Sequence, residues 1–171
     1  MISSSDSSVT VLGIDPGSNI TGWGVVRESS GRLELVANGV LRVKGSSFSD
    51  RLACIFHGLH DIIAEYRPQE AGVEQVFTAK NIMSAIKLAQ ARGAAVAACA
   101  SFHLPVQDYE PTLVKKTLAG TGRAEKEQVA FMVARLLGRA HIEGPLDTTD
   151  ALAIAVCHLT LRRFRRLESL V

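Results

Sequence analysis

The sequence predicts an α/β domain built on a mixed five-stranded sheet, with three antiparallel strands, two parallel additions and flanking helices. Three observations lead to this prediction: three strand-like segments joined by tight turns come first, helical and strand-like segments then alternate, and the end of the chain is helical. The 171 residues, of which 47% are hydrophobic, can form one domain with a substantial core. We expect that domain at residues 9–165, with a disordered serine-rich leader at 1–8 and a tail at 166–171.

The first half of the chain predicts a meander followed by a helix and a strand. Strands are expected at about 9–14, 21–27 and 33–41, and the turn residues at 17–19 and 29–31 favour two hairpins between them. Residues 49–66 carry apolar side chains at the three-and-four spacing of an amphipathic helix, which Pro68 ends. A fourth short strand is expected at 72–76.

The second half predicts one more strand among helices. Residues 81–101 are rich in alanine, which favours a long helix that packs closely, either on the sheet or against its copy in a symmetric dimer. A fifth strand is expected at 106–109, and helices follow near 112–119 and 125–137, separated by a flexible turn at 120–122. The last helix is expected from Asp147 to about Arg163.

Four acids occupy positions typical of a catalytic site. Asp15 ends the first apolar strand and Glu74 lies at the end of the fourth, where an unpaired charge would be costly. Asp147 and Asp150 share one face at the start of the last helix. This last pair could instead cap the helix, since acids favour helix N-termini. Because Asp15 and Glu74 have no capping role, we favour catalysis for all four.

Four carboxylates gathered in one cleft require cations. Two carboxylates ~4 Å apart repel each other by ~4 kcal/mol at an effective dielectric constant near 20. Ligands that are all oxygen atoms favour Mg²⁺, with Mn²⁺ as a possible substitute. We therefore expect two metal ions that activate a water molecule and stabilise the departing 3′ oxygen of a phosphodiester, leaving 5′-phosphate and 3′-hydroxyl ends. Asp15 is the expected bridging ligand.

The distribution of basic residues favours a polyanionic ligand, although the net charge is only +2. No acid occurs between Glu74 and Asp108, while several basic residues do. Any single cluster could be an ordinary solvated helix face, but together they favour nucleic acid. The basic residues concerned are Lys80, Lys87, Arg92, Lys115, Lys116, Arg123, Lys126, Arg135, Arg139, Arg162, Arg163, Arg165 and Arg166.

Neither a membrane protein nor a disulfide-bonded one is expected. The sequence lacks an uncharged apolar stretch of ~20 residues and a signal-peptide pattern at its start, so we expect a cytoplasmic protein. Cys54, Cys99 and Cys157 are odd in number, far apart and placed in apolar helical patterns. They are expected to be buried, reduced thiols.

The order of elements is the ribonuclease H-like plan, and four motifs occur along it. They are Gly13-Ile-Asp-Pro-Gly17 with Thr21-Gly-Trp-Gly24, Val73-Glu-Gln-Val-Phe77, Ala91-Arg-Gly93 and Asp147-Thr-Thr-Asp-Ala-Leu152. Together, in this order, they resemble the RuvC family of bacterial Holliday junction resolvases. The resemblance spans roughly residues 9 to 160.

The resemblance implies a homodimeric, metal-dependent endonuclease of homologous recombination and DNA repair. Such an enzyme nicks two strands of like polarity symmetrically at a four-way junction, and its partners would be the branch-migration proteins RuvA and RuvB. Asp15, Glu74, Asp147 and Asp150 match the catalytic acids of the family. Two other possibilities remain open: a ribonuclease H-type nuclease of RNA–DNA hybrids, and a catalytically silent junction-binding module. A third, an actin-like ATPase, would need a second such domain.

The resemblance also indicates DNA contacts. Phe77 resembles an aromatic residue that stacks on an unpaired base, although a core phenylalanine is the ordinary alternative. Lys115 and Lys126 match functionally important basic positions of the family, with Lys116 an uncertain neighbour. Lys80 and Arg123 are further expected DNA contacts. His158, two helical turns after the last acids, is expected to be a core or surface histidine rather than part of the site.

Overall fold

A computed structural model describes residues 8–75 and 81–168 of the chain. Its strands are β1 (Val9–Asp15), β2 (Ile20–Ser29), β3 (Arg32–Arg42), β4 (Glu70–Glu74) and β5 (Val106–Tyr109). Its helices are α1 (Phe48–Tyr66), α2 (Ile82–Ser101), α3 (Pro111–Ala119), α4 (Lys126–Leu136) and α5 (Leu146–Glu168). The strands form one sheet in the order β3-β2-β1-β4-β5.

The pairing of the strands confirms the predicted mixed sheet. β1, β2 and β3 pair antiparallel through two tight connections, while β4 pairs parallel to β1, and β5 parallel to β4. Parallel neighbours need a crossover, and α1 and α2 provide the two crossovers. The carboxyl ends of β1, β4 and β5 therefore lie at the same edge of the sheet.

Two predicted boundaries differ from the structure. β4 covers residues 70–74 rather than 72–76, because pairing already begins at its N-terminal end, where Glu70 lies opposite Val11 and the Gln69 amide donates to the Thr10 carbonyl over 2.9 Å. α5 continues to Glu168, past the expected end near Arg163. Neither glycine nor proline follows Pro145, so nothing in the sequence stops the helix.

The central strand β1 is covered on both faces. Its residues 9–14 are all buried, and their side chains alternate between two apolar clusters. One cluster packs β1 and β2 against α5, with α3 and α4 beyond it. The other packs the opposite face of the sheet against α1 and α2. The sheet is thus the middle layer of three.

Two glycines bring α5 unusually close to the sheet. A Cβ atom on Gly13 would lie 2.0 Å from the carbonyl oxygen of Ala151, and one on Gly22 would lie 2.0 Å from the carbonyl oxygen of Asp147. Only a residue without a side chain permits such a backbone approach. Gly22 is also the antiparallel partner of Asp15. The start of α5 is therefore held directly over the end of β1.

The cysteines are free, as predicted, but only two of them are buried. Cys99 and Cys157 lie in the core, and burial raises the pKa of the Cys99 thiol to about 12. The prediction of a buried thiol is wrong for Cys54, which is partly exposed because it lies in α1 beside β3, with its Sγ 3.8 Å from the Arg42 carbonyl oxygen. Among the described residues, no helix is long and apolar enough to cross a membrane.

Candidate active site

The four predicted acids converge at one edge of the sheet. In the parallel ladder Ile14 lies opposite Val73, so Asp15 and Glu74, the next residue on each strand, end β1 and β4 side by side. The close approach at Gly22 places Asp147, in the first turn of α5, above this edge. Asp150 follows one turn later and lines the same pocket as Asp15 and Glu74.

The carboxyl groups interact strongly with one another. Burial, followed by the charges of Glu74 and Asp150, raises the pKa of Asp15 to about 8. Burial is also the main cause that raises the pKa of Glu74, although a hydrogen bond donated by the Asp15 carboxyl favours the ionised form of Glu74. A weaker repulsion from Asp147 reaches Asp15 as well. Without cations the Asp15–Glu74 pair therefore holds a proton more tightly than isolated carboxylates do.

Two lysines supply positive charge to the cluster. The Nζ of Lys126, on the first residue of α4, donates to Oδ2 of Asp150 over 2.7 Å, and this hydrogen bond raises the pKa of Lys126. Lys115 projects from α3 into the same pocket, where its charge favours ionised Glu74. The pocket has a volume of about 400 Å³ and is lined by Asp15, Glu74, Pro111, Val114, Lys115, Lys126, Val129, Asp150, Ala153 and Ile154.

The contacts of Asp150 do not support the capping alternative for the last pair of acids. A capping box requires the second acid to bond the backbone at the helix start. Within the described residues, the Asp150 carboxylate instead accepts a hydrogen bond from the side chain of Lys126, which is 24 residues earlier in the chain. Asp147 lies within the first turn of α5, which begins at Leu146. Asp150 is thus directed towards the cluster, while Asp147 acts on Asp15 through a weaker charge repulsion.

The chemistry of the site suits a hard divalent cation. Its donors are carboxylate oxygens, and their mutual repulsion favours any ligand that brings positive charge. As the described side chains stand, no three acidic, histidine or cysteine residues are placed to hold a metal ion. Asp15 is hydrogen-bonded to Glu74, and Asp150 to Lys126. A metal ion would therefore compete with the proton shared by Asp15 and Glu74 and with the Lys126 ammonium for these carboxylate oxygens.

The remaining predicted residues differ in their placement. Phe77 and Lys80 fall outside the described residues. Lys116 is exposed and does not line the acidic pocket, and Arg123 is exposed in the turn between α3 and α4. Of the predicted DNA-binding lysines that the structure describes, Lys115 and Lys126 are brought to the acids.

His158 is a core residue, as expected. It is 4% exposed, its Nδ1 lies 3.0 Å from the Tyr109 hydroxyl, and its Nε2 lies 2.6 Å from a carboxylate oxygen of Glu70. Arg162 donates to the other oxygen of Glu70 over 2.7 Å. The sequence analysis missed this network, which joins α5 to β4 and β5. Its hydrogen-bonded pairs are 49 to 92 residues apart, so no local pattern indicates it.

Acids at the ends of β1 and β4, with more at the start of a helix packed across the sheet, define a ribonuclease H-like nuclease. Comparison with known proteins makes the class specific. The family model for "Crossover junction endodeoxyribonuclease RuvC" matches residues 11–158. The chain belongs to this family, the RuvC Holliday junction resolvases.

Individual relatives match nearly the whole chain. The crossover junction endodeoxyribonuclease RuvC of Oleidesulfovibrio alaskensis is 67% identical over 161 residues, which cover 94% of this chain and 96% of the relative. That of Nitratidesulfovibrio vulgaris is 54% identical, covering 96% of this chain and 98% of the relative. The solved structure of Thermus thermophilus RuvC in complex with a Holliday junction substrate has a TM-score of 0.85 at 34% identity, covering 91% and 96% of the two chains.

These matches confirm the predicted family, fold class and enzyme class. The protein is a crossover junction endodeoxyribonuclease, a hydrolase of phosphodiester bonds that resolves Holliday junctions in DNA recombination. Nucleases of this family depend on a metal ion.

Proposed function

We propose that Asp15, Glu74, Asp147 and Asp150 form the hydrolytic centre with which the protein nicks two strands of like polarity at a four-way DNA junction. The observation that carries this proposal is the cluster itself: acids from β1, β4 and α5 lie close enough for Asp15 to interact with each of the other three. Such an accumulation of like charge costs stability and is retained where it binds a cation.

Two divalent ions, Mg²⁺ or in its place Mn²⁺, suit this set of oxygen donors. Bound there, they would supply an activated water and stabilisation of the departing 3′ oxygen, giving 5′-phosphate and 3′-hydroxyl ends. Asp15, the most central of the acids, is the proposed bridging ligand. Glu74 and the two acids of α5 complete the ligand set. Loss of the Asp15 proton accompanies binding, because a carboxylate binds a metal only when it is ionised.

Lys126 and Lys115 bind the phosphate groups of the substrate in addition to interacting with the acids. In the free protein Lys126 neutralises Asp150. Once a metal competes for that carboxylate, the Lys126 ammonium is available to a phosphate in the same pocket. Lys115 lines the same pocket and contributes a second positive charge. Phe77, Lys80, Lys116 and Arg123 are proposed as further DNA contacts.

The exposed face of α2 supports a homodimer. Ile82, Met83 and Ile86 are 79%, 62% and 43% exposed near the start of this helix. Apolar side chains grouped in this way favour burial against another surface, and a symmetric dimer brings the same face of two copies together. A dimer also places two acidic clusters on one junction, which symmetric nicking requires. We further propose the family partners RuvA and RuvB, and action on DNA in the cytoplasm.

The test is cleavage of a labelled four-way DNA junction, compared with a linear duplex and an RNA–DNA hybrid, in Mg²⁺, Mn²⁺ or EDTA. We expect paired nicks in the junction only, in the presence of metal. Asp15→Asn keeps the size of the side chain while removing its charge, and it should abolish cleavage. Binding should survive, because phosphate contacts elsewhere dominate the affinity.

Each contrary outcome has a definite meaning. Retained cleavage by Asp15→Asn would remove Asp15 from the hydrolytic centre. Cleavage of the hybrid would favour a ribonuclease H-type activity. Binding of the junction without cutting, in any metal, would indicate a silent binding module.

A further inference from the structure

A second cavity, of about 470 Å³, lies beside the β1–β2 turn. Its walls come from three places: the turn itself at Ser18 and Asn19, the start of α1 with Ser47 and Arg51, and the start of α2 with Lys87. None of the four proposed catalytic acids lines this cavity.

The side chains around this cavity suit an anion. Arg51 and Lys87 line it together with four serine hydroxyl groups and four apolar residues, and no acid does. The nearest acid in sequence, Asp50, accepts hydrogen bonds from the Ser47 amide and the Ser46 hydroxyl, each over 3.0 Å. Hydrogen bonds with the Ser47 side chain, the Ser47 backbone and then Ser46 lower the pKa of Asp50, whose carboxylate caps α1. The charge facing the cavity is therefore positive.

Arg51 is held in place before any ligand arrives. Its Nη2 donates to the Ser18 carbonyl over 2.5 Å and to the Asn19 side-chain oxygen over 2.7 Å. Within residues 8–75 and 81–168, its Nε and Nη1 make no hydrogen bond. The guanidinium is therefore fixed on one side and keeps free N–H donors on the other, which suits it to a phosphate. Because the side chain is already held, phosphate binding would cost little conformational entropy.

The cavity begins close to the acids along the chain. Asp15 and Ser18 are three residues apart, so their backbones are separated by at most ~11 Å. A strand of B-DNA rises ~3.4 Å per nucleotide, so three nucleotides span this maximum. We propose that the cavity binds a backbone phosphate of the cleaved strand, within about three nucleotides of the phosphate that is cut. This inference rests on the proposed nuclease function and assigns a binding site to it.

The test uses four-way junctions in which one phosphate at a time, up to six nucleotides on either side of the cut, is replaced by an uncharged methylphosphonate. Wild-type protein should bind one junction, substituted within about three nucleotides of the cut, several-fold more weakly. Lys87→Gln removes the exposed charge of the cavity, and within residues 8–75 and 81–168 the Lys87 side chain makes no hydrogen bond that would be lost. The Lys87→Gln protein should bind the unmodified junction more weakly. The slope of log K against log salt concentration should become shallower by ~0.9 for each phosphate contact that is lost. The variant should also no longer distinguish the methylphosphonate at that position from a normal phosphate.

Arg32→Gln is the matched control, since Arg32 is an exposed cation at the far end of the β2–β3 hairpin. It should retain the wild-type pattern. Equal sensitivity of wild type and Lys87→Gln at every position would overturn the proposal. So would a Lys87→Gln protein with an unchanged salt slope and a weakened dimer, which would make the cavity a contact between copies. Cleavage of the unmodified junction by wild type tests the nuclease function separately.

Discussion

The Nζ of Lys126 lies 2.7 Å from Oδ2 of Asp150, so the first residue of α4 is bonded to an acid in the second turn of α5. Both side chains are partly exposed, and the pair gives little stability by itself because solvent screens it. Its position matters more than its strength. Lys126 is a cation already in contact with the cluster that a phosphate must approach.

Lys126→Gln should lower the rate of junction cleavage by ~10²-fold or more, the size of effect expected when one preorganised charge near the reacting phosphate is removed. Junction affinity should change by less than ~10-fold, because many other contacts remain. Single-turnover cleavage and binding in EDTA measure the two quantities. Lys116→Gln is the control, since Lys116 is exposed outside the acidic pocket. Equal losses of rate in both variants would refute a special role for Lys126.

Asp15 should make the metal-free protein less stable as the pH rises. Its pKa is raised from 3.8 to about 8 in the folded protein, mainly by burial and then by Glu74 and Asp150. A raised carboxyl pKa favours the folded state below pH 4, and this advantage is lost as the pH rises from about 4 to about 8. In EDTA, Asp15→Asn should therefore raise Tm at pH 8 and raise it much less at pH 4. Each kcal/mol added to the free energy of unfolding corresponds to ~2–4 °C in Tm. If the difference in Tm between wild type and Asp15→Asn were the same at both pH values, the raised pKa of Asp15 would be contradicted.

Gly22→Ala should destabilise the protein and disturb the site together. The added Cβ would lie 2.0 Å from the Asp147 carbonyl oxygen, so either β2 or the start of α5 must move. Overpacking typically costs ~1–3 kcal/mol, and this contact involves rigid backbone. Gly93→Ala is the control, because nothing lies within 4 Å of its Cβ position in α2 and alanine favours a helix by ~1 kcal/mol. Thermal unfolding and cleavage assays compare them; an unaffected Gly22→Ala would mean that the close approach is not required.

Met83→Glu should weaken the proposed dimer without unfolding the protein. Met83 is 62% exposed on α2, so a charge there costs nothing in the monomer but would be buried unpaired between two copies. Phe131→Glu provides the comparison, because Phe131 is 61% exposed on a different helix, α4. Sedimentation should give a monomer for the first variant and a dimer for the second. The reverse result would place the interface on α4.

Much of the fold was predictable because its signals are local. Alternation in the first three strands, three-and-four spacing in α1 and the alanine content of α2 each reside in a continuous segment. The acids at the ends of β1 and β4 were recognisable for the same reason: a charge that closes an apolar strand is conspicuous. The end of β4 was misplaced because the apolar pattern in the sequence continues to Val76, which lies outside the described residues, whereas β4 ends at Glu74.

What sequence could not provide is contact between distant segments. Nothing near Lys126 indicates that it reaches Asp150, and nothing near Glu70 indicates that it accepts hydrogen bonds from His158 and Arg162. Gly22 reads as one of several glycines in a strand until α5 is placed over it. These features depend on how the layers are stacked, which the order of elements alone leaves undetermined.

The glycine contacts between α5 and the sheet imply that the geometry of the acids is a property of the main chain. At Gly13 and Gly22 backbone meets backbone, so no exchange of core side chains can widen or narrow the gap by small steps. The distance between the strand acids and the helix acids of this protein is therefore set by where two backbones meet, and it changes only when β1, β2 or α5 moves as a unit.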